Sequence, residues 1–361
     1  MDDSNSNVPE LIDINPRTGK PVSWTPKKKQ SKFLAYAKLC AGKKRGLEWM
    51  VKQGERMFNC GEFLEFAVSS DGERKLMDAR FCSDRLCPTC AERKSKLAYH
   101  QLKKMYEWAM QREPGLVPLF LTLTVRNCTG EELTATLERI SKGWRNFARQ
   151  KWFKRQVVGY YRAEEITYNK TAGTYHPHVH VILLVRPGYF TSSDYKVISG
   201  EKRINEWGDA WQQALNLDYS PIVHVQKMKG DYSKAVAECA KYALKPGDFL
   251  LDSAEETAEV VGCISFAIKG HRFTSSGGIL KEARRVLRFQ DVEESDLIDI
   301  GSDKTCDIEI VAIQTFVWNS KLKKFVLKSE RPPYPDEVER FASPCRPQID
   351  IGEIVPTFAL V

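Results

Sequence analysis

The chain has 361 residues, of which 42% are hydrophobic and 28% charged, and its formal net charge is +8 at pH 7. A chain of this length and composition can bury a large core, and we predict an ordinary soluble globular protein of roughly two to three domains. No apolar run approaches the roughly 18 residues of a membrane helix. The acidic start MDDSNSNVPELID also lacks the basic and apolar regions of a signal peptide, so we predict a cytoplasmic protein with no membrane partner.

Positive charge is concentrated in the N-terminal third, in the stretches PKKKQSK, GKKRG and ERKSK. A stretch near residue 300, DVEESDLIDIGSDKTCDIE, is strongly acidic, and we assign it no function. A polyanion is the natural partner of the basic part, although solvated basic faces are also common.

Composition and periodicity divide the chain into four parts. Residues 1–30 are polar and aperiodic, which predicts a flexible tail. Residues 31–112 are predicted to form a basic helical module around a cysteine cluster, and residues 113–260 mix strands with helices. Residues 261–361 are predicted to be a C-terminal extension with a β-hairpin. Strands and helices without strict βαβ alternation predict an α+β domain with a largely antiparallel sheet.

Four cysteines of the basic module are spaced like ligands of one metal ion. Cys87 and Cys90 form a CxxC pair in FCSDRLCPTC, Cys82 precedes them, and Cys60 lies upstream in NCGEFLEF. Such a set predicts a closed four-cysteine site for Zn²⁺, whose role would be structural. The alternatives are a redox CxxC pair or scattered buried thiols.

The next segments predict a strand, a helix and a hairpin. VPLFLTLTVRN alternates in polarity from residue 117, and TGEELTATLERISKGWRNFARQ follows as a helix that Thr129 and Glu132 cap at its start. The two stretches QVVGYYRAEEITYN and TYHPHVHVILLV flank the polar turn KTAG and predict a β-hairpin.

The second strand of this hairpin carries three histidines at alternate positions. His176, His178 and His180 therefore point to one face. Pro177 implies a strand edge or a bulge, so His176 is the weakest candidate ligand of the three. The hairpin register places either Glu164 or Glu165 opposite His178. Two imidazoles and a carboxylate suit Mn²⁺ or Mg²⁺, and imidazoles would also accept Zn²⁺. The alternative is a polar, solvated strand face.

A later helix, in DYSKAVAECAKYALKPGDF, places Glu238 and Tyr242 at positions i and i+4. At that spacing both side chains can reach one substrate atom, with tyrosine as a covalent nucleophile and glutamate as a proton acceptor. Lys241 and Lys245 would supply positive charge near a phosphate backbone. The same spacing also occurs on ordinary surface helices.

The ordered set of motifs FCSDRLCPTC, FLTLTVRN, EEITYN, YHPHVHVILLV and ECAKY resembles the rolling-circle plasmid replication initiators of the HUH endonuclease superfamily. The resemblance runs from about residue 55 to 330 and includes GGILKEARRV and VWNSKLKKFVL. It implies a five-stranded antiparallel sheet with flanking helices, the histidine strand in the centre and the tyrosine helix against it.

The resemblance also implies roles for individual residues. His178 and His180 would bind the ion that polarises the scissile phosphate, and Glu165 would be the third ligand, with Glu164 still possible. Tyr242 would nick one strand, leaving a 5′-phosphotyrosine and a free 3′-hydroxyl. Glu238 would activate the water that ends a replication round.

The partner that the resemblance implies is plasmid origin DNA, single-stranded or in a hairpin at the nick site, together with a host helicase and polymerase. Three alternatives stay open. A transposase or relaxase would use the same chemistry, a zinc-containing DNA-binding regulator would not be catalytic, and a metal-dependent hydrolase would use water throughout.

Overall fold

The computed structural model describes residues 10–14, 21–191, 206–228, 232–241, 244–295, 297–298, 300 and 309–342. The strands are β1 (Ile12–Ile14), β2 (Pro21–Ser23), β3 (Phe63–Ser69), β4 (Arg74–Ala79), β5 (Val117–Thr124), β6 (Val157–Asn169), β7 (Thr174–Val185), β8 (Val223–Lys227), β9 (Thr274–Gly278), β10 (Ile310–Asn319) and β11 (Lys324–Arg331). The α-helices are α1 (Thr25–Lys44), α2 (Glu48–Phe58), α3 (Pro88–Arg112), α4 (Leu133–Phe147), α5 (Lys151–Gln156), α6 (Glu206–Leu215), α7 (Ser233–Ala240), α8 (Ala254–Ala267), α9 (Ile279–Val286) and α10 (Pro335–Ala342). No helix in these ranges combines the length and hydropathy that a bilayer-spanning segment requires.

The larger sheet has five strands in the order β8-β5-β7-β6-β9, and all neighbouring strands are antiparallel. Its centre contains the predicted hairpin, now β6 and β7. Val179 and Val181 pack on one face against α4 and α6, while Ile182 and Leu184 pack on the other against α3, α7 and α9. The sheet therefore lies between two helical layers, and the predicted α+β class with antiparallel sheets is confirmed.

The fifth strand of this sheet comes from beyond the predicted boundary at residue 260. Strand β9 pairs with β6, so the boundary is wrong. Gly278 makes this edge possible, because its φ is +58° and a Cβ there would lie 1.9 Å from the Val158 carbonyl oxygen. The sequence TSSGG shows no apolar alternation, which is why it was not predicted as a strand.

The smaller sheet has four strands in the order β11-β10-β3-β4. The predicted C-terminal hairpin is confirmed as β10 and β11. Two strands, β3 and β4, lie within residues 31–112, so the prediction of a purely helical module is wrong. Leu64 pairs with Phe316 across β3 and β10, and both side chains are buried together with Phe66. This shared core explains why residues 261–361 are not a separate extension.

The described part of residues 1–30 is not a flexible tail. Strands β1 and β2 pair with each other, and Leu11 is fully buried against the smaller sheet. Helix α1 already begins at Thr25, with Pro26 in its first turn, where the fixed φ of proline favours helix entry. Because the segment is mostly polar, its sequence did not indicate that Leu11 is buried or that a helix begins at Thr25.

Candidate active site

The hairpin register brings Glu165 to the histidine strand. Glu165 is paired with His178 across β6 and β7, and Ala163 is paired with His180. On the other side of β7, strand β5 places Thr122 directly opposite His180. Because cross-strand partners point to the same face, one carboxylate, two imidazoles and a hydroxyl converge there.

The three ligand-type side chains meet at one point. One Glu165 oxygen, Oε2, lies 3.3 Å from His178 Nε2 and 3.5 Å from His180 Nε2. Ligand atoms placed at roughly 2.1 Å from a common ion would be separated by about 3.0 to 3.5 Å. Glu165 and His180 are buried and His178 is partly buried, and these three side chains could together hold one metal ion.

Each of the two imidazoles is oriented by a contact at Nδ1, the ring nitrogen that does not face Glu165. His178 Nδ1 lies 3.2 Å from the His176 carbonyl oxygen, and His180 Nδ1 lies 3.2 Å from Thr122 Oγ1. A carbonyl can only accept, so this contact requires a proton on His178 Nδ1, and in the neutral ring the Nε2 lone pair is then available to a cation. The sequence reasoning missed the role of Thr122; the only signal was the alternation of threonines with leucines on β5.

Glu165 is held as a carboxylate. Burial by itself would raise the pKa of Glu165, but His178, His180 and Lys245 act against it, and the pKa is held well below its usual range. Lys245 Nζ lies 2.7 Å from Oε1, the oxygen that does not face the histidines. The Glu165 ion pair in turn raises the pKa of Lys245. An ionised carboxylate with one oxygen fixed by lysine suits a cation at the other oxygen.

Two candidates from the sequence lie outside this cluster. Glu164 points to the opposite sheet face, where it forms an ion pair of 2.7 Å with Arg162 and lies 2.7 Å from His271 Nε2. His176 Nδ1 lies 2.7 Å from the side-chain oxygen of Asn127, and burial lowers its pKa. Of the alternatives left open by the sequence, the structure brings only Glu165 to His178 and His180.

Helix α7 packs on the histidine face of the sheet and presents Glu238 to the cluster. Glu238 Oε1 lies 3.8 Å from His180 Nε2, and Oε2 accepts from the amine of Lys241. The helix is shorter than predicted, because α7 ends at Ala240 and Lys241 has an extended ψ of 136°.

Tyr242 lies outside the described residues, but the chain on either side of it is described. Leu244 is buried and forms a parallel β-bridge with Ile166, the neighbour of Glu165. This bridge, which a continuing helix could not make, accounts for the early end of α7. With the Lys245 ion pair to Glu165, it anchors the chain beside the cluster within three residues of Tyr242.

The preceding tyrosine in the chain has a different environment. The Tyr232 hydroxyl donates to Glu107 over 2.8 Å, and its ring lies 4.4 Å from the Tyr106 ring. The pKa of Tyr232 is raised, mainly because the phenol is buried and also because it is hydrogen-bonded to Glu107. This phenol is engaged at the start of α7 and is poorly suited to act as a nucleophile.

The four predicted zinc-site cysteines also come together. Their sulfur atoms all lie within 4.8 Å of one another, and the Sγ–Sγ distances from Cys60 to Cys87 and to Cys90 are both 3.6 Å. Four sulfurs at about 2.3 Å from one ion would be separated by roughly 3.8 Å. All four thiols are free, so this is a possible metal site and not a disulfide pair. Cys87 occupies the position just before the first turn of α3, where the helix dipole favours a thiolate.

Three buried lysines hold the backbone around this cluster. Lys28 donates to the Cys60 carbonyl, Lys94 donates to the Ser83 carbonyl, and Lys38 pairs with Asp84 over 2.5 Å. Burial lowers the pKa of Lys28 to about 8. Lysines are rarely buried without partners, and here Lys38 pairs with Asp84 while Lys94 also pairs with Glu293 over 2.8 Å.

Comparison with known proteins agrees with this arrangement. A family model described as "Replication protein" matches residues 73–326. A "Protein rep" of Bacillus amyloliquefaciens is 34% identical over 90% of this chain and 99% of the relative. Another "Protein rep", from Streptococcus pneumoniae, is 34% identical over 89% of this chain and 96% of the relative. A "Replication protein" of Staphylococcus aureus is 34% identical over 63% of this chain and 97% of the relative.

No solved structure matches the chain. The family match includes the cysteine knuckle, the histidine strand, helix α7 and most of the C-terminal hairpin, so it covers both candidate metal clusters except Cys60. The resemblance stated from the motifs is confirmed, and the chain belongs to the replication protein family.

Proposed function

We propose that this protein initiates rolling-circle replication of a plasmid by nicking one strand at the double-strand origin. The observation that carries the proposal is the convergence of His178, His180 and Glu165, with Glu238 beside them and the chain after Tyr242 anchored to the same carboxylate. The experiment is incubation of the protein with a labelled single-stranded origin oligonucleotide and Mn²⁺. A covalent protein–DNA adduct is expected on a denaturing gel.

The catalytic ion in this proposal is Mn²⁺ or Mg²⁺, held by His178, His180 and Glu165. When bound, it would act as a Lewis acid on the scissile phosphate. The rigid central strand fixes the two imidazoles, and Thr122 and Lys245 fix the orientation of His180 and Glu165. We propose that the fold is that of an HUH endonuclease.

The chemical step is a transesterification in which the Tyr242 phenol oxygen attacks phosphorus. A bond forms between the phenol oxygen and phosphorus, the bond to the 3′-oxygen breaks, and the phenol proton passes to a base while the leaving 3′-oxygen gains a proton. The products are a 5′-phosphotyrosine and a 3′-hydroxyl that a host polymerase can extend. In-line attack requires an unpaired strand, so we propose a melted site or hairpin and a host helicase as partners, in the cytoplasm.

Glu238 would end the replication round by activating water. Its carboxylate lies 3.8 Å from His180 and is about one-third exposed, so a water molecule can approach it. We expect Glu238→Ala to nick at close to the wild-type rate but to accumulate covalent intermediate during termination. A time course of adduct formation and release on a two-site substrate would measure this.

Glu238→Gln is the matched variant, because it keeps the shape and removes the basicity. The same accumulation is expected in it. Normal adduct release in both variants would assign water activation to another group.

The cysteine cluster would hold a structural Zn²⁺, with all four coordination positions occupied by Cys60, Cys82, Cys87 and Cys90. We expect Cys90→Ser to lose the bound zinc and to lower the free energy of unfolding by about 3 to 5 kcal/mol. Zinc content by atomic emission and thermal unfolding would measure the two effects. Cys40→Ser, which alters a free cysteine outside the cluster, should leave the zinc content and the free energy of unfolding unchanged. Unchanged zinc content in Cys90→Ser would refute the site.

A further inference from the structure

Two β-hairpins of this protein have the same four-residue turn. In the β6–β7 hairpin, Asn169 Oδ1 accepts from the backbone N–H groups two and three residues later, both over 3.0 Å. In the β10–β11 hairpin, Asn319 Oδ1 accepts from Lys321 and Leu322 in the same way, also over 3.0 Å. The two turns can therefore be compared position by position.

The turns differ at the position that has a left-handed backbone. The β6–β7 turn has Gly173 there, with a φ of +65°, whereas the β10–β11 turn has Lys323, with a φ of +51°. Glycine adopts positive φ without steric cost, and lysine does not. A lysine at this position disfavours the turn, and a disfavoured exposed residue points to a use for its side chain.

The same tip carries further positive charge. Lys321 and Lys323 are exposed, and among the described residues no carboxylate pairs with either amine. The pKa of Glu10 is lowered mainly by hydrogen bonds from Ser23 and Thr25. The charges of Lys324 and of Lys29 on helix α1 are close enough to lower it further. The hairpin tip therefore adjoins a basic part of α1.

Two aromatic side chains lie beside a basic residue of α1 at the base of the tip. Lys32 Nζ lies 5.9 Å from the Trp318 ring centroid and 4.2 Å from the Phe58 ring centroid. Interleaved aromatic and basic groups are typical of surfaces that bind nucleic acids.

We propose that the tip of the β10–β11 hairpin, residues 319–324, binds the phosphates of duplex DNA that flanks the nick site. The proposal rests on the proposed function for the identity of the polyanion. The tip belongs to the smaller sheet, whereas the nicking cluster lies on the larger one. Duplex recognition and single-strand cleavage are therefore assigned to different sheets.

The shape of the hairpin fits a duplex. Strand β10 pairs with β3 as far as Val317, and the Trp318 N–H still donates to the Glu62 carbonyl, so Asn319 and the turn that follows it extend beyond the smaller sheet. Lysines on such a projecting turn can reach the phosphates of a DNA backbone.

The test compares variants of the full-length protein for binding to a duplex origin fragment over a range of salt concentrations. Lys323→Gly should weaken duplex binding several-fold and reduce the slope of log K against log salt by about 0.9, the value for one lost phosphate contact. Its melting temperature should equal or exceed that of wild type, because glycine suits the positive φ. Nicking of a short single-stranded oligonucleotide should not change.

Two controls make the test specific. Lys323→Arg keeps the charge and should bind duplex like wild type, and Lys142→Ala removes an equal charge from an exposed position on α4 and should also bind normally. Wild-type duplex affinity in Lys323→Gly, or an equal loss in Lys142→Ala, would overturn the inference while single-strand nicking still supported the proposed function. Absence of nicking in the wild-type protein would instead reject the proposed function.

Discussion

The variant His180→Ala is expected to lose metal-dependent nicking by about 10³-fold or more. Removing one of two imidazole ligands would withdraw several kcal/mol of transition-state stabilisation, and each 1.36 kcal/mol corresponds to about a factor of ten in rate. The change also leaves the buried Glu165 carboxylate with one contact fewer. Initial nicking rates on a single-stranded origin oligonucleotide at several Mn²⁺ concentrations would measure the loss.

His176→Ala is the matched control, because it removes an imidazole from the same face of the same strand. In the structure His176 contacts Asn127 and is not part of the ligand cluster, so its replacement should change the nicking rate by less than about tenfold. Origin binding in a gel-shift assay should stay near wild type in both variants. Equal losses in His176→Ala and His180→Ala would argue against the metal assignment.

The variant Tyr242→Phe is expected to form no covalent adduct at all. The substitution removes only the phenol oxygen, which is the atom that would bond to phosphorus, so folding and metal binding should persist. The measurement is adduct formation with a 5′-labelled or 3′-labelled oligonucleotide, followed by peptide mapping of the modified residue. The mapped site in the wild-type protein should be Tyr242, with the phosphate on the 5′ side of the break.

Tyr232→Phe should form adduct at the wild-type rate, because the Tyr232 hydroxyl is bound to Glu107 away from the cluster. The outcomes separate the alternatives. Cleavage by Tyr242→Phe without adduct would indicate a hydrolase that uses water throughout, and duplex binding by wild type without any cleavage would indicate a regulator. Strand joining between two sites unrelated to a replication origin would favour a transposase or relaxase.

The hairpin and the convergence of Glu165 with His178 and His180 were predictable from the sequence, because both depend on residues that are close together in the chain. Alternation along β7 fixes which side chains share a face, and a short turn fixes the register, so Glu165 could be placed opposite His178 to within one residue. The CxxC pair likewise restricts its two sulfurs to one neighbourhood. In both cases the spacing of residues within one segment was enough to predict which side chains come together.

Other features depend on partners that are distant in sequence. Strand β9 is a strand because two glycines let it approach β6, and the smaller sheet pairs β3 with β10 across more than half of the chain. The end of α7 is set by the bridge from Leu244 to Ile166. The contact between Thr122 and His180 required the register of a third strand. Such contacts join distant segments, so the pattern of apolar and polar residues within any one segment does not indicate them.

The buried core around the cysteine cluster has one further consequence. Cys60, Cys87 and Cys90 pack in the same apolar cluster as Ile166, the neighbour of Glu165, and Leu244, which lies two residues after Tyr242 in the sequence. If these cysteines hold zinc as proposed, loss of the zinc should loosen the packing around Ile166 and Leu244 and leave His178 and His180 in place. Under the proposed function, plasmid copy number should then fall in a zinc-starved cell even while manganese and magnesium remain plentiful.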